Sequence, residues 1–540
     1  MSCSPELTAE PLKAFDKKRL SGAWLHESGI TGFRVLYFFI VLLYFLPFSY
    51  HPNMRSPNEL CRLWQTIAIV DNHKLSVNEV LKTHGMLGDL SFYEGFYYPS
   101  KAPFLSFAAV PVYGALKLIS SSDDEVALVY WARVFVTLLP TLGLILLLRR
   151  FLLHYVSAAI ADSVVTTYAL GSLAYSYSLL FMSHQLAATF LFFAFYSIWY
   201  HLRSGSMKAL LLGGLACGAA LMTEYTSMLG ILGIAGYLMF ARLKATNFCW
   251  KDELKRFGFM GIGSLPFLVG LMFYHATCFA GPFDSGYQHL IDIASREFHR
   301  GGFLGIRLPD LTAFAGSFFS PLCGLFTLSP FLVLALPGIL VLRQQVNGTK
   351  DQALLWFTVL LLFLYTYFTS SFSYESWQMA TGPRHLTPLV VFLMLPVALY
   401  LEHLRQSGSQ GFAIAIALCA LSILNVGMLS FVNYIPLIGD NALFGLVIPL
   451  FTSGYLPPNV LHWTGILSNP LSGGLLFCLL VLATYWVIRR SLSGSCVTFK
   501  KAMIIICLLS LIYFTGLWLL QFNEQENQKM LYYISTLWAK

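Results

Sequence analysis

Residues able to do chemistry are scarce in this chain, and many of them crowd into one stretch. Between Ser56 and Pro103 stand Glu59, Arg62, Asp71, Glu79, Asp89, Glu94 and Lys101, in a sequence only 11% charged. Pro57-Asn58-Glu59 with Arg62 puts a carboxylate beside a guanidinium just past the first long apolar run. Such a pair can serve as a general base, a metal ligand or half of an interfacial salt bridge. The segment Gly88–Pro103 adds two carboxylates, Asp89 and Glu94, and a set of aromatics that includes Tyr98. It ends in Ser100-Lys101-Ala102-Pro103, where Lys101 can neutralise a phosphate as a point charge or simply snorkel to the membrane surface. A third constellation, Trp377–Pro388, offers Arg384 as a planar fork for a phosphate or carboxylate. His385 follows as a second donor or a base, and Gly382-Pro383 forms a turn that fixes their direction. Ser183-His184-Gln185, Glu224-Tyr225, Tyr274-His275, Gly281–Tyr287 and Ser320–Pro330 are further polar punctuation that names no reaction by itself.

The elements that must hold these residues are set by composition. The 540 residues are 57% hydrophobic and 16% aromatic, with a mean hydropathy of +0.66. Soluble domains are less apolar and carry about twice the charge, so the expectation is an all-α polytopic membrane protein. The net charge of +8 is explained by Lys and Arg at the cytosolic ends of spans, and no nucleic acid is implied. Ten scattered cysteines show neither CxxC nor Cys/His spacing, so neither a disulfide framework nor a zinc site is indicated.

The basic N-terminus (residues 1–31) is expected in the cytosol and the first span at Gly32–Tyr50. Residues 51–125 then form the first outer loop. Within it, Phe104–Ile119 covers only about 24 Å and contains Pro111, so it reads as an interfacial helix rather than a span. With that choice the clusters at Arg149-Arg150, His201–Lys208, Arg242–Arg256, Arg343–Lys350, Glu402–Gln410 and Arg489–Lys501 all face the cytosol. About 13 transmembrane helices result, spread over residues 32–520, with residues 521–540 as an outer-side tail. The sequon at Asn347 falls on the cytosolic side. The polar loops Phe279–Leu311, Ser370–His385 and Ile435–Pro470 join the first loop on the outer face, which is where chemistry belongs.

Together, the acid-bearing loop, the Tyr98-Pro-Ser-Lys101-Ala-Pro segment and the Gly-Pro-Arg384-His385 turn resemble the GT-C superfamily of membrane glycosyltransferases. The likeness is to the family 39-like group of dolichyl-phosphate-mannose–protein mannosyltransferases and aminoarabinose lipid A transferases. The resemblance implies a GT-C fold with interfacial helices in the first outer loop. It also implies transfer of a sugar, with inversion, from a polyprenyl-phosphate donor to a lipid, glycan or protein acceptor. Lys101 matches the phosphate-binding lysine, with Arg62, Tyr98, Arg384 and His385 as further substrate contacts. Glu59 matches the second member of an Asp-Glu pair whose first member, the expected catalytic Asp, is here Asn58. The resemblance then leaves Glu59, Asp89 or Glu94 as the base, or an acceptor different from the family's. No cofactor is called for; a divalent metal, with ligands unassigned, stays open.

No Walker or Rossmann pattern is visible, which favours a lipid-linked donor over a nucleotide sugar. The alternative from another class is a transporter or flippase for a lipid-linked sugar or other anionic lipid. That function usually needs polar or broken segments at mid-membrane depth, whereas polar residues here crowd one face. The compact loops point to a bacterial inner membrane with the site facing the periplasm; the endoplasmic reticulum membrane is the alternative.

Overall fold

The structure, a computed structural model, describes residues 27–48, 56–119, 124–244, 248–302, 305–345, 349–372, 381–433, 439–454 and 459–538. The N-terminal residues 1–26, the sequon at Asn347 and residues Trp377–Ala380 of the third constellation lie outside them.

The described residues are overwhelmingly helical, as the composition requires. Six helices are long and apolar enough to cross a membrane: Glu125–Leu152, Trp250–Cys278, Gln352–Ser371, Gly411–Val432, Asn469–Leu492 and Phe499–Leu519. A bent pair, Arg384–Phe392 with Met394–Gln406, makes a seventh if taken as one broken span. The expected thirteen is not reached by this measure, because several apolar helices are shorter or interrupted. The expected span Tyr155–Tyr175, for example, is split between Ala158–Gly171 and Leu173–Ser178, with Ser172 in extended conformation between them. Phe104–Ile119 is a single 16-residue helix that keeps Pro111 inside it.

The segment expected as the first outer loop is built, not loose. Pro57 opens the Pro57–Asn72 helix, where its missing N–H costs nothing. His73, left-handed at φ 53°, closes it. Asn78–His84 follows, then a departure from the all-helical expectation: an antiparallel hairpin of Leu90–Tyr93 with Phe96–Pro99. Its turn residues Glu94 and Gly95 have φ of 48° and 87°. Two consecutive positive φ values are what a tight two-residue hairpin requires, and the flanking aromatics suit a strand.

Two close approaches tie the bundle together. A Cβ on Gly214 would lie 2.0 Å from the Met260 carbonyl oxygen, and one on Gly263 would lie 2.1 Å from that of Leu211. The Met207–Thr223 and Trp250–Cys278 helices therefore touch backbone to backbone, the packing small residues permit in membranes. Elsewhere in the bundle, fully buried Asp162 accepts from Arg149 Nε at 2.6 Å and from Arg490 Nε at 2.8 Å.

The expected C-terminal tail contains a helix, Glu524–Trp538. It docks on the 439–447 segment: Asn527 Oδ1 accepts from the Asp440 amide at 3.1 Å, and Met530 is fully buried.

Candidate active site

Several chain breaks converge at one end of the bundle. They are the start of the Pro57–Asn72 helix, the foot of the hairpin, the start of the Ser183–Ser204 helix, the break at Glu224 and the turn before Arg384.

Arg62 is deeply buried, 1% exposed against 9% for Lys101. Its Nη1 donates to the Asn58 carbonyl at 2.6 Å and also to the Asn58 side-chain oxygen, one helical turn back. Nη2 donates to Ser183 Oγ at 3.1 Å, and Nε has no partner. None of these acceptors is charged. Glu59, beside it and also buried, accepts the Phe181 amide at 2.5 Å.

Asp89 and Lys101 flank the hairpin and form an ion pair of 3.0 Å. Burial works to raise the Asp89 carboxyl, but Lys101, aided by Arg384 and Arg62, outweighs it and holds it below the usual carboxylate range. Burial likewise works to lower Lys101, and Asp89 opposite it turns the shift upward. The lysine is thus a fixed cation. Its Nζ lies over the Tyr287 ring, 5.0 Å from the centroid, and Tyr287 stacks on His299. Ser91 Oγ donates to the Gly286 carbonyl at 2.6 Å, which fixes that loop against the hairpin.

Arg384 follows the Gly382-Pro383 turn, in which Gly382 takes φ 76° and accepts a hydrogen bond from Tyr177 Oη at 3.1 Å. A side chain there would strike Leu328 and Leu173. Arg384 makes no ion pair among the described residues, and its buried Nε has no partner. His385 stands edge-on to His184, ring centroids 5.4 Å apart. Arg62, Lys101, Asp89, Arg384 and His385 therefore share one site; the electrostatic coupling among them says the same.

Two of the expected residues are elsewhere. Glu94 occupies the exposed hairpin turn, roughly 16 Å along the strand from Asp89. Tyr98 packs its ring on Phe279, in a small aromatic cluster with Tyr274.

Residues that sequence reasoning left unassigned complete the site. Ser183 Oγ donates to Glu224 Oε2 at 2.5 Å, and His184 Nδ1 lies 3.8 Å from the same oxygen. His184, just ahead of the expected span at Gln185, is 3% exposed. Burial, then His385, Arg384, Arg62 and Lys101, hold it in the neutral form. Only an interrupted apolar run marked these positions in the sequence. Among the described residues no group of three His, Cys, Asp or Glu side chains converges to hold a metal. Beside the site, an apolar groove of about 510 Å³ runs between Phe104, Pro111, Phe135, Pro140, Leu186 and Phe190.

No family model matches the chain, and no curated protein matches it in sequence. Among solved structures it is similar to the apo oligosaccharyltransferase of Archaeoglobus fulgidus, at 12% identity and a TM-score of 0.49. That match covers 76% of this chain and 56% of the archaeal one. It is similar to ArnT from Cupriavidus metallidurans at 14% identity and a TM-score of 0.48, over 90% of this chain and 78% of that one. It is also similar to the arabinosyltransferase EmbB from Mycobacterium smegmatis at 12% identity and 0.43, over 95% and 42%. The chain thus spans little more than half the length of the archaeal protein.

Proposed function

We propose that this protein is an inverting glycosyltransferase that takes a sugar from a polyprenyl-phosphate donor on the outer face of the membrane. The observation that carries the reading is the convergence of Arg62, Lys101 and Arg384. Two of the three lack any carboxylate partner among the described residues, next to an apolar groove. Unneutralised cations held in a poorly solvated site call for an anion, and a groove of this kind suits the first isoprene units of its tail. The likeness of the first outer loop and of the Arg384 turn to GT-C glycosyltransferases supports the same assignment.

In this reading Lys101 and Arg384 bind the phosphate, and Arg62 adds to the field. As the bond from the anomeric carbon to the phosphate oxygen breaks, negative charge grows on the phosphate. Fixed cations in a water-poor pocket stabilise that charge more than they stabilise the ground state. His385 is a further donor. The acceptor, a lipid, glycan or protein, approaches from the opposite face of the sugar.

The test is single-turnover release of labelled sugar from a panel of undecaprenyl-phosphate hexoses and pentoses by the purified full chain. Binding of undecaprenyl phosphate is measured beside it. Sugar release, with Lys101→Ala and Arg384→Gln impaired in binding, supports the reading. Tight binding without release from any donor sinks it and leaves a lipid transporter.

A further inference from the structure

The break at Glu224 and the first turn of the Ser183–Ser204 helix bring together two groups that phosphate binding does not use. His184 is 97% buried, and neither of its ring nitrogens has a hydrogen-bond partner. Buried polar atoms without partners are rare in folded proteins, and two on one ring mark a place where a ligand completes the set. Nδ1 faces Glu224 Oε2 at 3.8 Å, a gap that a small ring rotation closes. Glu224 is itself aimed by the 2.5 Å bond from Ser183, which Arg62 in turn holds at 3.1 Å. One chain of contacts therefore joins a phosphate-site cation to a carboxylate–imidazole pair.

The carboxylates expected from sequence are otherwise engaged. Glu59 accepts the Phe181 amide, Asp89 is paired with Lys101, and Glu94 is exposed at a hairpin turn. Asn58 has no basic group at all. We propose that His184 is the base that takes the acceptor's proton and that Glu224 positions it; this rests on the glycosyl-transfer reading above. The acceptor hydroxyl oxygen bonds to the anomeric carbon as the bond from that carbon to the phosphate oxygen breaks. The electron pair of that bond leaves with the phosphate. The hydroxyl proton passes to His184 Nε2, and the imidazolium is stabilised by Glu224 until it returns the proton to water.

The experiment measures single-turnover sugar release from the undecaprenyl-phosphate panel, and binding of undecaprenyl phosphate, for wild type, His184→Ala, His184→Gln and Glu224→Gln. Loss of the base slows release by about 100-fold or more, while undecaprenyl phosphate binding stays within about threefold. Azide, an anionic nucleophile that needs no base, restores release in the His184 variants and yields the glycosyl azide with polyprenyl phosphate. Glu224→Gln moves the acid limb of the rate–pH profile to lower pH, because the imidazolium loses its carboxylate. Arg62, Lys101, Arg384, His385 and Tyr177 around the ring are unchanged in that comparison. The proposal is overturned if either His184 variant turns over at the wild-type rate. It is equally overturned if azide fails to restore a variant that still binds undecaprenyl phosphate. Should His184→Ala not fold, His184→Gln is judged by the same criteria. A wild type that binds undecaprenyl phosphate but releases no sugar fails the glycosyl-transfer reading itself, and the base falls with it.

Discussion

Asp89 and Lys101 close the foot of the hairpin on each other, 3.0 Å apart, just beyond the last cross-strand pair, Leu90 with Pro99. The two strands thus deliver a cation to the site with its counter-ion attached. Asp89→Asn removes the counter-ion and loosens Lys101. The expected outcome is a rise of about tenfold in KM for a lipid-linked donor with kcat little changed. A collapse of kcat alone would make Asp89 the base instead.

The same pair sets a pH window. The folded Asp89 carboxyl lies below its usual range, so its contribution is complete above that range and is lost as pH falls through the lower folded value. Lys101 lies above its usual range, so its contribution is complete below the ordinary lysine value and is lost as pH rises through the higher folded one. The difference in melting temperature between wild type and an Asp89→Asn/Lys101→Met double variant should therefore be flat from about pH 5 to pH 9. It should shrink only beyond those limits.

Arg62 has a fork geometry that a lysine cannot copy: Asn58 on one arm and Ser183 on the other. Arg62→Lys should weaken undecaprenyl phosphate binding by about tenfold or more, nearly as much as Arg62→Gln. Isothermal titration in detergent would read it, and full rescue by lysine would reduce Arg62 to a point charge.

Much of this site was legible because charge is rare in an apolar chain. Arg62, Asp89, Lys101 and Arg384 stood out by type alone, and Gly382-Pro383 announced the turn that aims the last of them. The His184–Glu224 pair was not legible. Its members are 40 residues apart and meet only because two helices break at one level. Glu94 lies apart from the other candidates for a local reason: Glu-Gly supplies the backbone geometry of the hairpin turn and carries the carboxylate to its exposed tip. The two short strands escaped notice because aromatic residues also belong at a membrane surface. Glu94→Gln, accordingly, should leave donor turnover unchanged within about twofold, its stability cost being that of an ordinary exposed site, within about 0.5 kcal/mol.

Gly214→Val or Gly263→Val should be poorly tolerated, because a Cβ at either position meets backbone oxygen near 2 Å that no side-chain movement can relieve. The expected result is a loss of monodisperse protein on size-exclusion chromatography. Gly143→Val, where a Cβ meets nothing within 4 Å, should behave as wild type.

Asp162 reaches Arg149, thirteen residues back, and Arg490, 328 residues ahead. During synthesis the buried carboxylate is made early and waits for its second guanidinium until the chain is nearly finished. Late helices are thus needed to quench a charge laid down in the first third of the protein. A chain halted before Arg490 is left with a buried acid that has Arg149 but lacks its second guanidinium.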